Sequence, residues 1–395
     1  MFSEKIINNL DKASWIRAMF EEGEKLSKKY GANNIYDFSL GNPYAEPPVE
    51  VMESLKKYIL NSEKGIHRYM NNAGYPEVRE KIAKLLQKES NIELSANNVV
   101  MTVGAAGGLN VVLKAILNNE EEVIVFAPYF VEYNFYVDNH GGRTVVVSPD
   151  KSNFEPNIID FESSITKNTK ALIINNPNNP TGVVYSEEKL KHIAEIIEKK
   201  QREYGTTIFV ISDQPYGEIV YDGTKVPSML SIFKNAIIVN SFSKSLGLAG
   251  ERIGYIAASS KIKDINLLMN ALSFCNRTLG FVNAPGLFQK VVCDSLEAKI
   301  DIEEYKKRRD FLYENLTRIG FECVKPQGAF YLFPKALIDD DVEFVKMALK
   351  YNLLLVPGSG FGCHGYFRIS YCVQFDMIEN SISAFEKLAK EFNML

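Results

Sequence analysis

The sequence has 395 residues, 45 Lys+Arg against 49 Asp+Glu for a formal net charge of -4, and is 46% hydrophobic and 24% charged. That balance excludes intrinsic disorder and a collagen-like architecture, and the length allows two to three domains. A mildly acidic chain also lacks the concentrated basic surface that nucleic-acid phosphates need, so no nucleic-acid partner is expected.

Residues 1–30 read as helix with charged faces, and the Met-Phe-Ser-Glu-Lys start carries no apolar leader. No stretch approaches the ~20 apolar residues of a membrane span. The five cysteines are odd in number and form no Cys-x-x-Cys, so a reducing, cytoplasmic setting is expected. The four histidines have no ligand spacing, and no metal site is expected.

After the loop Leu40-Gly41-Asn42-Pro43, short apolar runs alternate with helical stretches. The predicted strands are Val99 to Val103, Glu122 to Phe126, Thr144 to Val147, Ala171 to Ile174, Ile208 to Ile211, Ala236 to Val239 and Arg252 to Ala257. Their uniform apolarity suits strands buried on both faces. Glu187 to Tyr204 places Leu190, Ile193, Ala194 and Ile197 on one helical face, with Ser186 as its cap. Strands separated by helices imply an α/β fold with a mostly parallel sheet. Beyond residue 285, a long helix over Asp294 to Leu316 is expected. Strand-like pieces follow at Gly328 to Phe333, Leu353 to Pro357 and Tyr366 to Tyr371. The expected division is a large domain over 45–285 and a small α+β domain from 1–44 and 286–395.

Ligands of open α/β sheets bind beyond the carboxyl ends of the strands, and polar residues gather there. Gly104-Ala105-Ala106 opens a helix and leaves backbone N–H groups for an anion. Asn175-Asn176-Pro177-Asn178-Asn179-Pro180-Thr181-Gly182 is longer than an ordinary turn requires. Asp213 ends a buried strand, where its charge needs a cationic partner. Ser241, Ser243 and Lys244 end the next, and Arg252 opens the last. Gly360-Phe361-Gly362-Cys363-His364-Gly365 matches a dinucleotide fingerprint by letter. The strand-like run after it lacks the helix such a loop must open.

One ligand satisfies these groups: a phosphate, a protonatable ring nitrogen and an aldehyde on one molecule. Lys244 would form a Schiff base with the aldehyde, and Asp213 would pair with the ring nitrogen. Tyr216 and Asn179 would bond the ring hydroxyl. Ser241, Ser243, Arg252 and the backbone of Gly104, Ala105 and Ala106 would hold the phosphate. Tyr129 or Phe130 would stack on the ring.

The blocks Asn179-Pro180-Thr181-Gly182, Asp213-x-x-Tyr216, Ser241-x-Ser243-Lys244, Gly250-Glu251-Arg252-Ile253-Gly254, Gly328-Ala329-Phe330-Tyr331 and Arg368-Ile369-Ser370 resemble the class I/II pyridoxal-phosphate aminotransferases of fold type I, the aspartate and aromatic aminotransferase group. The resemblance implies a seven-stranded, mostly parallel sheet flanked by helices, with a small domain from both chain ends. It implies pyridoxal 5'-phosphate as cofactor, with Lys244, Asp213 and Tyr216 as catalytic residues. It selects Phe130, two residues after Pro128, as the stacking ring. Arg368 matches the arginine that grips the substrate carboxylate, beside Gly41 and Asn179. Tyr69 matches a tyrosine that reaches the partner subunit's cofactor phosphate, which implies a homodimer with shared sites.

The implied activity moves the amino group of an L-amino acid to a 2-oxo acid, in two ping-pong half-reactions, within biosynthetic amino-acid metabolism. A second arginine for a side-chain carboxylate has no motif; Arg17, Arg68 and Arg277 are candidates. The tyrosine-rich stretch from Tyr129 to Tyr136 suits either an aromatic pocket or core. A β-lyase acting on a sulfur amino acid would use the same Lys244, Asp213 and Arg368. A ligand-sensing regulatory module is the alternative of another class, disfavoured because the pattern begins by about Asp37.

Overall fold

The computed structural model describes residues 2–11, 19, 22, 23, 25, 28, 31, 34–61 and 64–392. Strand β1 (Tyr36–Asp37) comes first in the chain. The strands β2 (Val99–Thr102), β3 (Glu122–Phe126), β4 (Arg143–Val147), β5 (Thr169–Asn175), β6 (Phe209–Asp213), β7 (Ala236–Ser241) and β8 (Gly254–Ala258) form one sheet in the order β2-β8-β7-β6-β5-β3-β4. The seven expected strands are all there. β8 runs antiparallel to both its neighbours, β2 and β7, and the remaining pairings are parallel.

Side chains alternate faces along a strand. Val100, Val123, Ile173, Ile211, Val239 and Ile256 pack in one core. Val99, Ile124, Leu172, Val210, Ile238 and Ala257 pack in another. Both faces are therefore covered, as the unbroken apolar runs require. β4 departs from this expectation because it lies at the sheet edge, where Val146 is exposed. The helix Glu187–Tyr204 forms as expected, with Ser186 Oγ accepting from the Lys189 N–H and Gly205 ending it at φ 66°.

Two of the boundaries that differ from the sequence reading lie at Arg252 and Asp294. The expected strand from Arg252 begins at Gly254, and Arg252 itself has φ 54°, outside the strand region. The expected long helix from Asp294 is two helices, Gly286–Asp294 and Ile302–Ile319. Asp301 starts the second, its carboxylate accepting from the Glu303 N–H at 3.0 Å.

The remaining strands are short. β9 (Tyr331–Leu332), β10 (Leu353–Leu354), β11 (Val356–Pro357) and β12 (Phe367–Ser370) follow in the C-terminal part. β1 pairs with β10, and β12 lies between β11 and β9. The N-terminal segment is thereby tied to the C-terminal part, and the Ser370 N–H donates to Phe38 O. The glycine pattern at 360–365 opens no helix: β12 follows it. Among the described residues, no helix is long and apolar enough to cross a membrane.

Candidate active site

The direction of β8 sets the position of the site. Because β8 runs against its neighbours, it starts at the edge where the parallel strands end. Arg252 therefore meets the Gly104 loop beyond β2. A Cβ on Gly104, whose φ is 74°, would lie 2.6 Å from Arg252 Nη2. Gly254 is constrained in the same way, since a Cβ there would lie 3.0 Å from Gly104 Cα.

A cleft of about 280 Å³ opens at this edge, lined in part by Ala105, Ala106, Phe130, Ser241, Ser243 and Arg252. Gly41, Asn179, Asp213, Tyr216, Lys244 and Arg368 line it as well. Gly104 is buried at the start of the helix Gly104–Ile116. Of the expected site residues, Tyr69 stands apart: it is 90% exposed and does not line this cleft.

Lys244 sits in a single helical turn, Phe242–Ser245, directly after β7. Its Nζ donates to Gly41 O at 2.8 Å. Burial pushes the amine down to about 8, and the charges of Arg252 and Arg368 push the same way. Gly41 allows a close approach, because a Cβ there would overlap the Tyr331 hydroxyl.

Asp213 is 6% exposed, and burial raises its carboxyl to about 6. Its Oδ2 accepts from Tyr133 Oη at 2.5 Å, while Oδ1 has no partner. Arg368 on β12 is 1% exposed. Its Nη1 donates to Asn179 Oδ1 at 3.1 Å and its Nη2 to Ser39 O, while Nε has no partner. The guanidinium lies over the rings of Tyr331 and Phe361, 4.8 Å from each centroid. No carboxylate among the described residues pairs with it, and burial lowers its proton affinity.

The long asparagine turn is accounted for by hydrogen bonds. Asn175 Nδ2 donates to Asp213 O at 3.0 Å, and Asn176 Oδ1 accepts from the Tyr185 N–H at 2.9 Å. Asn178 Oδ1 accepts from the Thr181 hydroxyl at 2.8 Å. The turn thus knits neighbouring strand ends while presenting Asn179 to Arg368. Tyr216 Oη shares a hydrogen bond with Tyr331 Oη at 2.8 Å.

Tyr133 and Tyr136, from the stretch that suited either pocket or core, line the cleft, and so does Tyr331, which sequence reasoning left without a role. The first two follow Phe130 at steps of three, a spacing that puts them on one helical face. Tyr129 does not line the cleft; its ring lies against Gly362, where an added Cβ would be 2.8 Å from Tyr129 Cε1. Arg68 and Arg277 are exposed and do not line the cleft; Arg17 lies outside the described residues.

The family model for aminotransferase class I and II matches residues 33–385. The chain belongs to this family. It is 32% identical to the probable aspartate aminotransferase of Methanocaldococcus jannaschii, over 89% of this chain and 92% of that one. It is 31% identical to the aromatic-amino-acid aminotransferase 2 of Thermococcus litoralis, over 96% of each. Among solved structures, an amino transferase from Eubacterium rectale superposes at a TM-score of 0.96, with 42% identity over the whole of both chains. The aspartate aminotransferase of Thermus thermophilus with maleate superposes at 0.85, with 27% identity over 95% of this chain and 97% of that one.

The protein is therefore a pyridoxal-phosphate-dependent aminotransferase, moving amino groups between amino acids and 2-oxo acids. The names of its relatives do not favour the β-lyase. The cleft fits the cofactor on its own terms. The unpaired Asp213 Oδ1 suits a ring N–H, and the Gly104 loop facing Arg252 suits a phosphate.

Proposed function

We propose that this aminotransferase works at the cleft just described, with Lys244, Asp213 and Tyr216 as catalytic residues. One observation carries the reading. A buried anion and a buried cation line the same cleft, and each keeps a polar atom without a partner. Leaving such groups unsatisfied is costly, so both are placed for something that binds.

Pyridoxal phosphate, when bound, supplies an aldehyde that takes up the amino group and a protonated ring that draws electrons from the bond being broken. Lys244 Nζ would hold the cofactor through its aldehyde and, as a free amine, would take the proton from the substrate Cα. Asp213 Oδ1 would pair with the ring nitrogen and keep its proton in place. Tyr216 Oη and Asn179 would bind the ring hydroxyl. Phe130 would stack on the ring. Ser241, Ser243, Arg252 and the N–H groups at Gly104, Ala105 and Ala106 would bind the phosphate. Arg368, with Asn179 and the Gly41 backbone, orients the substrate carboxylate, a planar task suited to guanidinium.

The enzyme works as a homodimer in the cytoplasm, with Tyr69 reaching the partner's phosphate site, and serves amino-acid biosynthesis. The chain divides into 45–285 against 1–44 with 286–395. The helix Gly286–Asp294, on the small-domain side of that boundary, shares a core cluster with Val51 of the large domain through Val291 and Val292.

The test is a panel of amino acids with 2-oxoglutarate as acceptor, run on the native enzyme and on Arg368→Ala. The native enzyme should form a new amino acid, and the variant should lose about a hundredfold or more in kcat/KM. Native kcat/KM in Arg368→Ala removes that residue from the site.

A further inference from the structure

The two oxygens of the Asp213 carboxylate have different surroundings. Oδ2 takes the Tyr133 hydroxyl, and Oδ1 is left free where Asp213 lines the cleft. Tyr133 is itself buried, on the helix Glu132–Asn139. Its ring is set edge-on to Phe130, with centroids 5.6 Å apart and planes at 87°. The hydroxyl therefore cannot swing away without disturbing the ring beside it. Burial and the neighbouring carboxylate both hold the phenol in its protonated form, so it remains a donor. Tyr133 and Tyr136 from this helix and Tyr216, three residues beyond Asp213, all act on its carboxylate, and the cations Lys244, Arg252 and Arg368 line the same cleft. The Tyr133 hydrogen bond is what favours the charged carboxylate against its burial.

We propose that Tyr133 is a positioning residue for the cofactor: its hydroxyl keeps Asp213 ionised and directs the free carboxylate oxygen to the ring nitrogen. This rests on the assignment of Asp213 to that nitrogen. A hydrogen bond to the charged form favours ionisation. Deleting the hydroxyl therefore lets Asp213 take up a proton at a higher pH than in the native enzyme. A neutral carboxyl then faces the ring, and the attraction for a ring N–H is lost.

The test replaces one oxygen and keeps the ring volume, in Tyr133→Phe. Equilibrium dialysis on both sides of neutral pH compares pyridoxal phosphate with its 1-deaza analogue, in which C–H stands for the ring nitrogen. The native enzyme should prefer pyridoxal phosphate. In Tyr133→Phe that preference should fall by about tenfold or more at neutral pH. The pH below which pyridoxal phosphate is lost should also move up, and the analogue should bind both proteins alike. If the native enzyme shows the preference and Tyr133→Phe keeps it at the same pH, the role of Tyr133 is refuted while that of Asp213 stands. Equal weakening toward both ligands also refutes it, since the hydroxyl then serves only the shape of the cleft. If the native enzyme binds both ligands equally, the Asp213 assignment itself fails and takes this proposal with it.

Discussion

An amine that must attack an aldehyde has to be neutral, and the surroundings of Lys244 supply that condition. Burial is the larger influence, and the positive charges of Arg252 and Arg368 add to it, bringing the group down to about 8. Below that pH the amine is protonated and inert; above it the free base dominates. The rate at which cofactor-free enzyme captures pyridoxal phosphate should therefore rise through a midpoint of about 8. Stopped-flow absorbance reads that rate directly, and a midpoint near the ordinary lysine value contradicts the placement. At this scale the sequence was informative where a residue stands in a block at a strand end. Lys244, Asp213, Asn179 and Arg252 all do, and all line the cleft. Tyr133 and Tyr136 were not singled out, because a tyrosine on a helical face serves a core equally well. Only their three-residue steps from Phe130 carried a signal.

Elements place these residues through backbone approach rather than side-chain reach. The start of β8, the end of β7 and the Gly104 turn converge so closely that two positions must be glycine. Gly104→Ala adds a methyl group 2.6 Å from Arg252 Nη2 and forces alanine to φ 74°. The strain is roughly 1–2 kcal/mol. Cofactor affinity, measured by fluorescence titration, should fall about tenfold or more, the equivalent of that strain. Native affinity in the variant would falsify the phosphate-cradle role of this turn. The strands themselves were legible as apolar runs. The reversed direction of β8 was not, because a strand buried on both faces reads the same in either direction. The break between Gly286–Asp294 and Ile302–Ile319 was hidden for a similar reason, since apolar residues continue across it. Its marker is local: Asp301 two residues before Glu303, the cap that the structure shows.

For the whole molecule, the telling residue is Tyr69. The segment carrying it is well fixed: Asn72 Nδ2 donates to Val282 O at 2.8 Å, Asn276 Nδ2 to Asn72 O at 2.9 Å, and the Tyr75 N–H to Gln289 Oε1 at 2.9 Å. Tyr69 is nevertheless 90% exposed on this ordered frame. If sites are shared, mixing Lys244→Ala with Tyr69→Ala subunits creates one intact site in each hybrid dimer. Activity should then appear on mixing, up to about a quarter of native for random pairing in a two-fold dimer. Mixtures no more active than the sum of their parts rule out sharing. Family and fold were legible from the blocks that run from Gly41 to Arg368. Assembly was legible only through the resemblance at Tyr69, because a single chain does not display its partner's side chains. All of these expectations depend on the bond at Lys244. Borohydride reduction of the cofactor-loaded enzyme, followed by peptide mass mapping, tests it most directly. The expected result is one reduced pyridoxyl label, on Lys244; a label on another lysine, or none, contradicts it.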